Sequence, residues 1–456
     1  MAARENFGSR LTVIFAMAGS AIGLGNIWRF PYMVGQNGGA AFIIVYLLSA
    51  LILCIPIFLS ESIIGKRTQL STFGAMDALA PGTKWKWIGG LTVFTPLIII
   101  SYYSVVGGWS IDYFLRSLTF AFSDPAISQD QHSAIFGNFV SSAWGPIFFH
   151  TLFMGINALV VMAGVKAGIE KFTKITTPIL FVLVVVIMIY SLTLPGASAG
   201  IEYMLKPDFS KLTGSAMLSA MGQSFFSLSL GVGCILTYAS YIKKSENILS
   251  TALYTAGFDI IFALIAGFAI MPAVFAAGIE PGAGPGLIFE TLPFIFSTMG
   301  TEARWLSNII AILFFLTILF AALTSSISML ETGVAYLVDE KKMKRSKATL
   351  ILFSGCWLLG VFCSLSFGPL SNFHILGETI FNFCDKLTSN FLMTFGSLMF
   401  VLFLGWKMKK ADVRSEFTND GSLKFNSKIF EVFYFLVRFV APVVIVTIFI
   451  TTFIIS

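Results

Sequence analysis

The sequence predicts an all-α polytopic membrane protein: eleven helices crossing a bilayer, the first and sixth broken at mid-membrane. Three observations predict it. Of the 456 residues, 56% are hydrophobic and 11% charged, against roughly a quarter charged in soluble domains. Apolar runs of about 20 residues, each long enough to cross hydrocarbon, recur along the whole chain. Two of these runs are interrupted halfway by small and polar residues.

The runs lie at 10–34, 40–65, 88–119, 145–164, 168–194, 215–242, 247–273, 304–338, 347–367, 375–406 and 427–455. The proline- and glycine-rich residues 275–303 read as a long structured loop. The chain, 1–456, reads as one transmembrane domain without a soluble module. The first run is not a cleavable signal peptide, because it is long, interrupted and lacks a small-residue cleavage site. With the N-terminus inside, 22 of the 29 Lys and Arg fall on the cytoplasmic side, in clusters such as Lys66/Arg67, Lys166/Lys171/Lys174 and Lys243/Lys244. That is the positive-inside bias that sets topology. It accounts for the net charge of +6 without a nucleic-acid partner. Eleven spans then leave the C-terminus outside.

Nothing in the sequence supports catalysis. Cys54, Cys234, Cys356, Cys363 and Cys384 lie within spans or near their ends, show no CxxC pairing and read as packing thiols. The three histidines are scattered, and no Ser/His/Asp set, metal triad or cofactor motif appears. The chain therefore does not read as an enzyme. A channel would need a continuous polar stripe, whereas these polar groups cluster at one depth.

The first break is "AMAGSAIGLGNIWRFPY", residues 16–32, where Gly19, Gly23 and Gly25 precede Asn26, Arg29 and Pro31. Gly19-x-x-x-Gly23 alone fits close packing of membrane helices. The extra glycines, the asparagine and the arginine point instead to a broken helix lining a site. The second break, "SFFSLSLGVGCILTYASY" at 224–241, places Ser227, Ser229, Gly231 and Gly233 mid-span. The two flawed spans each open a block of five, which points to inverted repeats over 10–194 and 215–406, with 427–455 appended. Non-helical backbone at membrane depth persists only inside protein or along a wet cavity. Half-helix N-termini suit an anion such as a carboxylate, while unwound carbonyls suit a small hard cation. Two such breaks side by side can hold a zwitterion with a metal ion against it.

"GSRL", "AMAGSAIGLGNIWRFPY", "NGGAAF", "GQSFFSLSLGVG" and "TYASY" closely resemble the neurotransmitter:sodium symporters, above all the bacterial members that move hydrophobic amino acids. The resemblance spans essentially the whole chain and implies their LeuT-type fold with a 5+5 inverted repeat. It further implies sodium-coupled symport of an amino acid by alternating access, in a bacterial inner membrane. Two co-transported Na+ are implied. The first would take Ala21, Asn26, Ser227 and Asp259; the second Gly19, Ile22, Ala321, Thr324 and Ser325. Ala321, Thr324 and Ser325 fall at i, i+3 and i+4 on one helix face, though such hydroxyls also bond back to their own helix.

The resemblance places the substrate carboxylate on the Leu24 and Gly25 amides and the Tyr103 hydroxyl, and the amino group near Ser20, Phe226 and Ser229. Ile99, Tyr103, Phe226, Val232, Ser325 and Met329 would line the side-chain pocket. Relatives that bind amines lacking a carboxylate carry an aspartate near Ser20, and this chain has none. The implied substrate is an intact neutral amino acid: Trp, Tyr, Phe or Leu. Asp259 stands where many relatives have asparagine, supplying a fixed negative charge and predicting transport without chloride. Arg29 with Asp385 would close the outer path and Arg4 with Asp339 the inner one, while Gly168 and Pro178 would frame a hinge in span five. Glu61 reads as a hydrogen-bond acceptor for unwound backbone. Proton coupling through Glu61 or Asp259, and a transport-dead amino-acid sensor, remain as alternatives. Oligomeric state and sodium stoichiometry have no signature in the sequence.

Overall fold

The computed structural model describes residues 5–279 and 286–455, with backbone alone for 302 and 452–455. Among the described residues, nine helices are long and apolar enough to cross a membrane. They are Ala40–Thr68, Trp85–Ser117, Trp144–Met162, Val165–Leu192, Ile248–Ala276, Ala303–Asp339, Arg345–Leu365, Ile380–Lys407 and Lys424–Thr451. We number them spans 2, 3, 4, 5, 7, 8, 9, 10 and 11. They correspond to nine of the eleven expected runs. The other two runs are the broken ones.

Span 1 is a bent pair, Arg10–Ala21 and Gly25–Gln36, turned by 58°. Ser9 starts it with a reciprocal cap to Thr12. It stops because Ile22 adopts extended backbone (ψ 108°), closing the half-helix with an N–H bond to the Ala18 carbonyl. Span 6 is split further, into Gly214–Ser227 and Cys234–Ala239. Between them Ser229, Gly231 and Gly233 all have positive φ, at 51°, 79° and 73°. That left-handed backbone is cheap for glycine and costly for serine. Neither half alone reaches the length of a span.

The breaks satisfy one another's backbone, as burial requires. Asn26 Oδ1 accepts the Gly23 N–H at 3.1 Å. Gln223 Nε2 donates to the Gly25 carbonyl at 3.2 Å, and Ser229 Oγ to the Ser20 carbonyl at 3.2 Å. Glu61 Oε1 of span 2 accepts the Gly231 N–H at 2.7 Å, the backbone role expected for it. Spans 2, 5, 7 and 8 pack around the pair, and span 10 approaches so closely that Gly231 and Gly396 touch backbone to backbone. A Cβ at Gly396 would sit 2.1 Å from the Gly231 carbonyl oxygen.

Two details depart from expectation. The loop 275–303 contains a helix, Leu287–Thr301. It meets span 8 at Ala303, whose φ of −152° bends the chain. Span 10 starts at Ile380 rather than 375, because His374–Ile375 and Glu378–Thr379 form a short antiparallel hairpin. Around Gly168 and Pro178, span 5 is helical, with widened turns over Val165–Glu170 and then a regular helix Lys171–Leu192.

Candidate functional site

The first cluster lies where span 1 restarts. Asn26 Nδ2 donates to Asp259 Oδ1 at 2.7 Å and to Ser227 Oγ at 3.0 Å. Ser227 Oγ in turn donates to Asp259 Oδ2 at 2.7 Å. Tyr46, on span 2, donates its hydroxyl to Ser227 at 3.3 Å. Ser227 is 2% exposed, and Asn26 and Asp259 are fully buried. A carboxylate so far from water is stable only when both oxygens are engaged. The Ser227 hydroxyl of span 6 and the Asp259 carboxylate of span 7 thus converge on the Asn26 amide nitrogen of span 1, with Ala21 on the wall of the adjoining cavity. Asn26 Oδ1 holds the Gly23 N–H but keeps a second lone pair. The Ser227 and Asp259 oxygens are hard and the carboxylate brings negative charge, and a flip of the Asn26 amide would add a third oxygen, a set that suits an alkali cation.

The second cluster joins the span 1 break to span 8. Ser325 Oγ donates to the carbonyls of Ile22 at 3.1 Å and Ser20 at 3.2 Å. Thr324 instead turns its hydroxyl back onto its own helix, at 3.1 Å from the Ala321 and Phe320 carbonyls. Gly19 lies against Thr324: a Cβ there would be 3.3 Å from the Thr324 Cβ and 3.1 Å from Thr177 Oγ1. Gly19, Ile22, Ala321, Thr324 and Ser325 therefore meet in one place. Thr177, one residue before Pro178, also reaches it and donates to the Phe15 carbonyl at 3.2 Å.

Between the clusters is a cavity with about 30 Å³ of free space. Its walls include Leu24, Gly25, Ile99, Tyr103, Phe226, Ser229, Val232, Ser325 and Met329, all expected from the sequence, together with Gly23 and Met393. Among the described residues, no carboxylate lines it. The Leu24 N–H donates to the Tyr103 hydroxyl at 3.1 Å, so the free amide end of the second half-helix and a phenol meet at the same spot. Ser20 contributes backbone, and its hydroxyl donates to Ser328 Oγ at 2.7 Å.

Above this cavity opens a vestibule of about 320 Å³. Arg29 lies over the Phe226 ring, its Cζ 4.5 Å from the centroid. Arg29 and Asp385 face each other electrostatically without forming an ion pair. On the opposite side, Asp339 Oδ2 accepts the Ser71 N–H at 2.9 Å; its expected partner Arg4 lies outside the described residues. A cluster the sequence reading did not single out lies nearby. Glu331, fully buried in span 8, accepts from the Tyr241 hydroxyl at 2.6 Å and pairs with Arg345. Arg345 Nε also donates to the Val161 carbonyl at 2.7 Å. The signal was present, since an acid inside an apolar span marks function or a buried partner. Met393 had none, being one apolar residue in an apolar run.

Two interrupted helices with oxygen clusters and a small apolar cavity at the interruption define a broken-helix membrane carrier. The model of the sodium:neurotransmitter symporter family matches residues 4–132 and 140–456, and the chain belongs to that family. It is a sodium-dependent transporter and not an enzyme. It is 38% identical over 445 residues to the uncharacterized sodium-dependent transporter YhdH of Bacillus subtilis (strain 168), covering 97% of this chain and 96% of that one. A sodium-dependent transporter of Haemophilus influenzae is 36% identical over 98% of both chains. Among solved structures, MhsT in complex with L-phenylalanine superposes with a TM-score of 0.89 at 40% identity, covering 99% of this chain and 100% of that one.

Proposed function

We propose that the protein couples sodium to the inward movement of neutral hydrophobic or aromatic L-amino acids, with tryptophan, tyrosine, phenylalanine and leucine as the candidates. The observation that carries this reading is the meeting of the Leu24 amide with the Tyr103 hydroxyl at the rim of an apolar cavity that, among the described residues, no carboxylate lines. The Leu24 and Gly25 amides, at a half-helix N-terminus, favour a carboxylate, and Tyr103 donates to it. The amino group takes carbonyls near Ser20, Phe226 and Ser229. The side chain fits against Ile99, Val232 and Met329. The phenylalanine bound to MhsT supports the same class of substrate.

One sodium ion binds among Ala21, Asn26, Ser227 and Asp259, next to the substrate carboxylate. A second binds among Gly19, Ile22, Ala321, Thr324 and Ser325, where Thr324 has only to rotate its hydroxyl off its own helix. Asp259 balances the first ion, so no chloride is needed. Alternating access closes Arg29 onto Asp385 outside, parts Arg4 from Asp339 inside, and loosens span 5 between Gly168 and Pro178. The membrane is a bacterial inner membrane, with the N-terminus cytoplasmic and the C-terminus outside.

Competition for sodium-dependent binding across a panel of amino acids tests the substrate class. Tryptophan, tyrosine, phenylalanine and leucine are expected to compete best. Glycine or glutamate outcompeting all four would overturn it.

A further inference from the structure

Among the described residues, Phe226 and Met393 alone line both the vestibule and the inner cavity, so together they form the partition between them. Phe226 is held from two sides. Arg29 covers its outer face at 4.5 Å, and its Cε1 lies 2.8 Å from where a Gly25 Cβ would sit. Met393 is held differently. Its main chain is pinned, because its carbonyl oxygen lies 2.0 Å from where a Gly231 Cβ would sit. Its side chain is unbranched and free to change rotamer.

The turns before it aim that side chain. Leu387–Leu392 is wound wider than an α-helix, with i→i+5 hydrogen bonds that take in one extra residue, a feature common at functional sites. Each residue of an α-helix advances it by about 100°. The extra residue therefore turns Met393 toward the cavity, from a direction that regular winding would give to a different residue.

From these placements we infer that Met393 is a movable wall that sets how large a substrate side chain the pocket admits. The inference rests on the amino-acid reading above. The cavity's free space, about 30 Å³, holds only a few water molecules at about 10–15 Å³ each, so a bulky side chain must displace part of the lining. Ile99 and Val232 are β-branched and stiff, and Met329 does not border the vestibule. Met393 has about 320 Å³ of open space behind it and can swing there without moving its backbone.

The test uses the full chain in proteoliposomes with sodium, measuring competition of L-tryptophan and of L-leucine against bound labelled L-phenylalanine. Met393→Ala is expected to shift preference toward tryptophan over leucine by roughly tenfold, the scale of a few methylenes in a pocket. Met393→Phe, which fills the swing space, shifts it the other way by a similar factor. Met393→Leu conserves volume, keeps the fold and, being branched, lowers the tryptophan preference by about threefold. A preference unchanged within about twofold in every variant that binds with sodium, on that pocket scale, would overturn the inference alone. A wild-type protein that binds none of the three amino acids with sodium would overturn the amino-acid reading and the inference together.

Discussion

Asn26 Nδ2 and Asp259 Oδ1 lie 2.7 Å apart, and this contact ties the restart of span 1 to the middle of span 7. It closes a ring with Ser227, which bonds both residues. The ring spans both breaks and the scaffold, so a cation bound there, as proposed, would pull on all three at once.

The carboxylate supplies the ring's charge. Asp259→Asn keeps the shape and removes that charge. The sodium concentration for half-maximal uptake is expected to rise about tenfold, the scale of a charge-assisted interaction. Wild-type uptake is expected to stay unchanged when gluconate replaces chloride. A variant with wild-type sodium dependence, or a wild type that stops without chloride, contradicts this role.

Tyr103→Phe removes the hydroxyl that accepts the Leu24 N–H. The same hydroxyl is the one proposed to donate to the substrate carboxylate, and a hydrogen bond to a charged group contributes about 1.5–3 kcal/mol. Substrate affinity is expected to fall about tenfold while the protein stays folded. Equilibrium binding in detergent checks it; unchanged affinity would place the carboxylate elsewhere.

Gly396→Ala places a Cβ 2.1 Å from the Gly231 carbonyl oxygen. The backbones must part, at a cost of about 1–3 kcal/mol for overpacking. Its melting temperature is expected to drop, whereas Gly355→Ala, with nothing within 4 Å of the added atom, leaves melting unchanged. Equal melting of the two variants would contradict the close approach of span 10 to the break.

His132 lies outside the spans, in the helix Gln129–Ser141, with the Phe122 and Phe294 rings beside it. Burial pushes its imidazole down to about 4. As pH falls, the unfolded chain takes the proton first, near its ordinary value of about 6.5. Its stabilising contribution is thus complete above that value and is lost progressively down to about 4. Melting curves between neutral and acid pH are expected to fall more steeply for the wild type than for His132→Phe. Parallel curves would contradict it.

Much of this site was legible because its chemistry is local in the chain. Gly19, Gly23, Gly25 and Asn26 crowd one short stretch, and Ser227 to Gly233 another, so the breaks announce themselves where membrane helices normally carry none. Asp259 stands out as an acid within an apolar run. What stayed hidden depends on register between distant segments. Met393 reaches the cavity through a widened turn that no single residue signals. The Gly231–Gly396 contact exists only once spans 6 and 10 are packed. The helix Leu287–Thr301 was masked by the prolines and glycines around it. Glu331 is the reverse case, a readable signal whose partners Tyr241 and Arg345 come from other segments.

The most direct test is uptake of labelled neutral amino acids into proteoliposomes holding the purified protein. One batch carries an inward sodium gradient; in the other, potassium replaces sodium throughout. Accumulation in the sodium batch alone is the predicted result. Equal accumulation in both would remove the two cation sites and turn attention to Glu61 and Asp259 as proton carriers. Binding without accumulation would leave a sensor on the same fold.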